Sequence, residues 1–153
     1  MKEILLDCTL RDGGYYNQWN FSKELVSAYF EVMDEINIDI VEVGFRSIKN
    51  NGFKGPYAYS QDEFLDTLTI PKSIKLGVMI NASEIIENGK FSEEILNKLF
   101  PKKAKNSKVS LVRVAAHFHE LSESLKSVSI LRDKGYIVGF NLMQIAQYSN
   151  TQI

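Results

Sequence analysis

Five β-prone runs punctuate the chain: "EILLDC" from residue 3, "IDIVEVGF" from 38, "SIKLGVMI" from 73, "KVSLVRVA" from 108 and "YIVGFNLM" from 136. The first four starts lie roughly 35 residues apart, the length of one strand plus one crossover helix. Helical patterns with physical start and stop signals fill the gaps. Ser22 is placed to cap a helix whose apolar residues Leu25, Val26, Tyr29, Phe30, Met33 and Ile36 share one broad face. Ser60 and Glu63 have capping-box spacing, Ser92 opens "SEEILNKLF", and Pro101 ends it by lacking a donor. Leu121, Leu125, Val128 and Leu131 stripe a fourth helix, which Gly135 closes in the left-handed conformation. Strand and helix in alternation predict a parallel sheet covered by helices.

With 153 residues and 44% hydrophobic content, the chain reads as one α/β domain, 1–153, with no internal boundary. Lys plus Arg (18) nearly balances Asp plus Glu (19), so bulk charge predicts neither a nucleic-acid nor a membrane partner. The single cysteine, Cys8, cannot form an intramolecular disulfide, and "MKEILLDCTL" does not read as a secretory signal, so a cytoplasmic location is expected. No apolar run approaches the roughly 20 residues that span a bilayer. The lysines of "PKKAKNSK" (Lys102, Lys103, Lys105, Lys108) read as a solvated loop.

Two parallel architectures satisfy this periodicity: a flavodoxin-like doubly wound sheet, or the first five strands of a (β/α)8 barrel, which in full needs about 250 residues. The placement of charge favours the barrel. Strict alternation puts Ile40, Glu42 and Gly44 on one face of the second strand, opposite Val41, Val43 and Phe45. Arg113 occupies the matching place in "LVRVAAH", with His117 on its side. Charged residues in mid-strand are costly under helices but natural on the inner face of a barrel, where active sites lie.

The stretch "DCTLRDGGYYN" (7–17) ends the first run. Asp-Gly turns easily, and glycine tolerates positive φ. In a strand-like segment adjacent residues point to opposite sides, so Arg11 and Asp12 are expected to serve separate partners. An aspartate at a strand's carboxyl end is a hard oxygen ligand for Mg2+ or Mn2+, and a guanidinium beside it can hold a carboxylate or an enolate oxygen.

"DCTLRDGG" resembles the signature of the metal-dependent aldolases and lyases typified by 4-hydroxy-2-oxovalerate aldolase, hydroxymethylglutaryl-CoA lyase and isopropylmalate synthase. "IDIVEVGFRS" is similar to that family's second strand with its glutamate, "LVRVAAHFHE" to its fourth and "GYIVGFNLMQIAQYS" to its fifth, closest to the hydroxyoxovalerate aldolase branch. The resemblance implies the amino-terminal (β/α)5 portion of a TIM barrel that makes or breaks a carbon–carbon bond on a 2-oxo acid. By position it implies that Arg11 stabilises a pyruvate-type enolate, that Asp12 ligates a divalent metal (Mn2+ or Mg2+), and that Glu42 helps hold the site together. The alternative is a non-catalytic module derived from the family that binds a small carboxylate or serves assembly.

Two departures stand out. Tyr15 occupies the position of the family's histidine base; a tyrosine with a pKa of about 10 is a poor base, so Tyr15 is expected to hydrogen-bond substrate or to pack over the barrel mouth. The family completes its metal site with His-x-His-Asn on the seventh strand. Here the only His-x-His is "HFHE", after the fourth strand, where His119 falls in a loop or helix start and His117 faces substrate. Five strands cannot close a barrel, so exposed edges predict either a piece of a longer protein or a homo-oligomer, and "YSNTQI" reads as a helix start cut short.

Overall fold

The structure is a computed structural model that describes residues 3–50, 52–149 and 151; the expected helix start in "YSNTQI" therefore lies partly outside the described residues. The expected runs form strands β1 (Leu6–Asp7), β2 (Ile40–Phe45), β3 (Lys75–Asn81), β6 (Val109–Ala116) and β7 (Ile137–Leu142). They pair in parallel in the order β1-β2-β3-β6-β7. Each strand thus lies beside its predecessor in the sheet. A doubly wound sheet reverses its strand order, and this one does not. Successive right-handed crossovers in one direction stack every helix on one face and leave the other face as the concave side of a curled half barrel.

The convex face carries the core. Val41, Val43, Leu76, Val78, Ile80, Val112 and Val114 pack under helices α2 (Lys23–Glu35), α4 (Glu93–Leu99) and α6 (Lys126–Asp133), which contribute Val26, Phe30, Leu96, Leu99 and Leu131. Ser22 caps α2 by accepting from Leu25 N at 3.2 Å, Ser92 caps α4 by accepting from Ile95 N at 3.4 Å, and Gly135 has φ +89°. Leu25 and Ile36 stay more than half exposed, so the buried stripe of α2 is narrower than its apolar pattern. No helix among the described residues is long and apolar enough to cross a membrane.

Four local expectations are corrected. Ser60 and Glu63 form no capping box: helix α3 (Asp62–Leu65) starts after Gln61, and Ser60 instead donates to Tyr57 O from a left-handed backbone (φ 41°). The stripe from Leu121 is divided between helices α5 (Leu121–Ser124) and α6, with Leu125 at the junction. A short antiparallel pair, β4 (Ile86–Glu87) with β5 (Lys90–Phe91), interrupts the simple repeat. The largest correction concerns residues 9–17, which form helix α1 (Thr9–Asn17) rather than a turn.

Asp7 explains how α1 starts. On the convex side of β1, its carboxylate accepts from Thr9 N (2.9 Å), Thr9 Oγ1 (2.9 Å) and the Tyr29 hydroxyl, so the chain leaves the strand directly into helix. Gly14 is needed for space rather than for positive φ. A Cβ there would lie 2.0 Å from the Trp19 ring, which packs flush on the helix backbone. Gln18 and Trp19, both at φ 57°, make the left-handed exit instead.

Candidate functional site

Four strand and helix positions bring a charge cluster together on the concave face. Glu42 on β2 is fully buried (0%). Arg11 Nε donates to Glu42 Oε1 at 2.9 Å from α1, while Arg113 on β6 donates through Nε to Oε2 (2.6 Å) and Nη2 to Oε1 (2.7 Å). Arg113 Nη2 also reaches Cys8 Sγ (3.2 Å), and its Nη1 reaches Asn141 Oδ1 on β7 (3.4 Å). Gly77, which pairs with Glu42 in the ladder, keeps the β3 surface beside Glu42 low, with Ile40 and Leu111 closing on it. Gly139 makes room at the other end, since a Cβ there would press within 3.0 Å of Arg113 Cγ.

The electrostatics follow from the count. Two guanidiniums share one carboxylate, and both retain some solvent access (15% and 16% of the side chain). The buried part of the cluster therefore holds one positive charge more than Glu42 neutralises, and the balancing charge is the solvent-exposed carboxylate of Asp12, paired with Arg11 at the open face of the sheet. Glu42 holds both arginines more firmly protonated than usual, against the opposing effect of burial, which for Arg11 is the largest single influence. Burial pushes the Cys8 thiol up, and the Glu42 charge adds to this while Arg113 and Arg11 pull the other way. Cys8 is thus a neutral thiol at neutral pH.

A bulge in β2 reshapes the mouth. The register of β2 on β3 skips Val43 between Glu42 and Gly44. Phe45, expected on the face opposite Glu42, is thereby turned to lie under Arg11, whose Cζ stands 5.9 Å from the ring centroid. Phe45 also meets Trp19 and Tyr15 edge-on, with centroids 5.4 and 6.1 Å apart. Trp19 Nε1 donates to Arg11 O at 2.9 Å, tying this aromatic group to the helix that carries the arginine.

The expected site residues are thus distributed as follows. Arg11 and Glu42 are in direct contact. Asp12 is mostly exposed (61%) and pairs with Arg11 Nη1 at 2.5 Å, contrary to the expectation that these neighbours serve separate partners; on a helix adjacent side chains diverge by about 100° rather than 180°, which lets Arg11 reach both acids. Tyr15 is exposed (64%) and packs over the mouth against Trp19. His117 stacks on His119 (centroids 5.7 Å apart), while Glu120 Oε2 accepts from its backbone N–H as a short 3-10 turn begins.

Two members of the cluster were not given roles by sequence reasoning. Arg113 was placed on the inner face by alternation alone, and Asn141 carried no motif. An arginine matched in register to an inward glutamate was the available signal.

A divalent metal fits the described residues poorly. Asp12 is the one site carboxylate with solvent access, and its oxygen is already at Arg11, whereas Glu42 is saturated by guanidinium donors. Among the described residues no group of three or more His, Cys, Asp or Glu is arranged to hold a metal ion.

No family model matches the chain, and no curated protein matches it. Among solved structures it is similar to the crystal structure described as "the N-terminal domain of a putative aldolase from Bacteroides vulgatus". The TM-score is 0.79 with 29% identity, covering 98% of this chain and 48% of that one. The likeness supports an aldolase-like origin. The chain spans about half the length of this neighbour (48%), matching it over β1 to β7 and the helices between.

Proposed function

We propose that the concave face binds the carboxylate of a 2-oxo acid between Arg11 and Arg113, as the anion-holding part of an aldolase-type carbon–carbon lyase. The observation that carries this reading is the pair of guanidiniums sharing the single buried carboxylate of Glu42. Glu42 fixes both arginines in place, and the charge it leaves over meets only the solvent-exposed Asp12 carboxylate, a screened partner that an incoming anion can replace. Arg11, which lies beside the more exposed mouth, is positioned to stabilise negative charge developing on an enolate oxygen. The similarity to an aldolase's amino-terminal domain supplies the reaction class.

On this reading Asp12 would have to exchange Arg11 for Mn2+ or Mg2+ to serve as one ligand, with the other ligands supplied from outside the described residues. Self-association through the open edges of β1 and β7 is a further part of the proposal, checked by light scattering over a concentration series.

The test is exchange of the pyruvate methyl protons in D2O, followed by proton NMR with the chain and Mn2+. Enolate formation predicts catalysed loss of the methyl signal, reduced at least tenfold by Arg11→Met. Pyruvate binding without exchange would instead favour the non-catalytic carboxylate-binding module.

A further inference from the structure

Beside the arginine cluster, on the far side of Phe45, lies a second cavity of about 160 Å³ lined by Tyr15, Trp19, Phe45, Lys54, Asn81 and Glu84. Glu84 is about nine-tenths buried (9% exposed) in the turn that follows β3. Its Oε1 accepts from Ser47 Oγ at 2.9 Å, which fixes the carboxylate; its Oε2 is buried with no hydrogen-bond partner. An unmet buried carboxylate oxygen is costly, and Glu84 is one of the residues lining a space large enough for about five waters at roughly 30 Å³ each. Lys54 Nζ sits 5.7 Å from the Trp19 ring centroid on the same cavity.

These features select a ligand chemistry. Glu84 and Lys54 contribute opposite charges, and Arg46, which also lines the cavity, is neutralised by Asp62 behind it, so a neutral ligand is favoured over an ion. One unmet acceptor (Glu84 Oε2, which a small turn of the side chain brings to the cavity) and two donors (Lys54 Nζ and the Asn81 amide) match hydroxyl groups, each able to give one hydrogen bond and accept others. The rings of Trp19, Phe45 and Tyr15 match the C–H faces between such hydroxyls. We propose that this cavity is a binding subsite for a short, neutral polyhydroxylated chain, with one hydroxyl donating to Glu84 Oε2 and an oxygen accepting from Lys54. The cavity uses none of the charged groups of the carboxylate site, although the rings of Tyr15, Trp19 and Phe45 border both.

Trp19 is the single tryptophan of the chain, so its fluorescence reports on this cavity directly. Erythritol, a four-carbon polyol without charge, is the probe. The expected result is a saturable change in Trp19 emission, with affinity at least fivefold weaker in Glu84→Gln and in Lys54→Met. It should be unchanged in Arg113→Met, which disables the carboxylate site without touching a residue of this cavity, so the two readings fail separately. If Glu84→Gln does not fold by circular dichroism, Lys54→Met and Asn81→Ala carry the comparison. A linear, unsaturable response, or equal affinity in the wild type and the cavity variants, would overturn the proposal. So would a high-resolution crystal structure in which an ordered water keeps Glu84 Oε2 at saturating erythritol.

Discussion

Arg46 and Arg11 are both held against carboxylates, yet the two arrangements do opposite things. Arg46 is sealed (1% exposed): Nε and Nη2 donate to Ser60 O, Nη1 to Leu99 O and Nη2 to Asp62, while its guanidinium lies 5.0 Å from the Phe100 centroid. Ser107 Oγ completes Asp62. One cation meets one anion there, and backbone carbonyls take up the remaining donors. On the concave face two cations share one buried anion, and the second anion, Asp12, lies in solvent. The first arrangement locks helix α3 and its flanking loop to the sheet; the second leaves charge available to a ligand.

Substitutions that break this contrast should separate stability from binding. The largest effect on folding is expected from Arg46→Met, which strands Asp62 in the interior and costs about 3–5 kcal/mol in denaturant melts, with little change in pyruvate affinity where the protein remains folded. Glu42→Gln is next. It removes a charge-assisted acceptor from two arginines and costs about 1.5–3 kcal/mol, but it frees both guanidiniums, so pyruvate should bind at least as tightly by calorimetry. A stable Glu42→Gln variant that has lost pyruvate binding would show that the fixed placement of the two guanidiniums by Glu42, rather than the charge it leaves over, is what binding needs.

The cluster also predicts a pH signature. Because the folded Cys8 pKa is raised, chiefly by burial and then by Glu42, its contribution to stability is complete below the thiol pKa of the unfolded chain and is lost as pH rises through the higher folded value. Alkylation by iodoacetamide should accordingly accelerate at a higher pH in the native protein than in the urea-unfolded chain. Glu42→Gln should shift that profile downward. The smallest effect belongs to Asp12→Asn: an exposed pair, screened by water, is worth about 0.2–1 kcal/mol.

The sheet was legible because its signal is periodic. Runs such as "IDIVEVGF" and "KVSLVRVA" name their own strands, and their even spacing implies the crossovers. The concave location of Glu42 and Arg113 followed from alternation up to the bulge. Beyond it, the identity of Val43 gives no warning that the register slips, so Phe45 was assigned to the wrong face. Helix α1 was hidden for a different reason. Two adjacent glycines argue against a helix by local propensity, whereas tertiary contact of Trp19 with Gly14 and the Asp7 cap decide for it. Glu84 carried no motif at all; only the fold around it reveals an acceptor without a donor.

Glu42 leaves one guanidinium charge of the Arg11–Glu42–Arg113 cluster to the exposed Asp12 alone, and calorimetric titration of pyruvate into the wild type, Arg11→Met and Arg113→Met measures most directly whether a ligand carboxylate takes it up. The prediction is saturable binding at one site per chain, weakened about tenfold or more (~1.4 kcal/mol) by either substitution, with acetone, which lacks the carboxylate, failing to compete. Pyruvate affinity unchanged in both variants would contradict it.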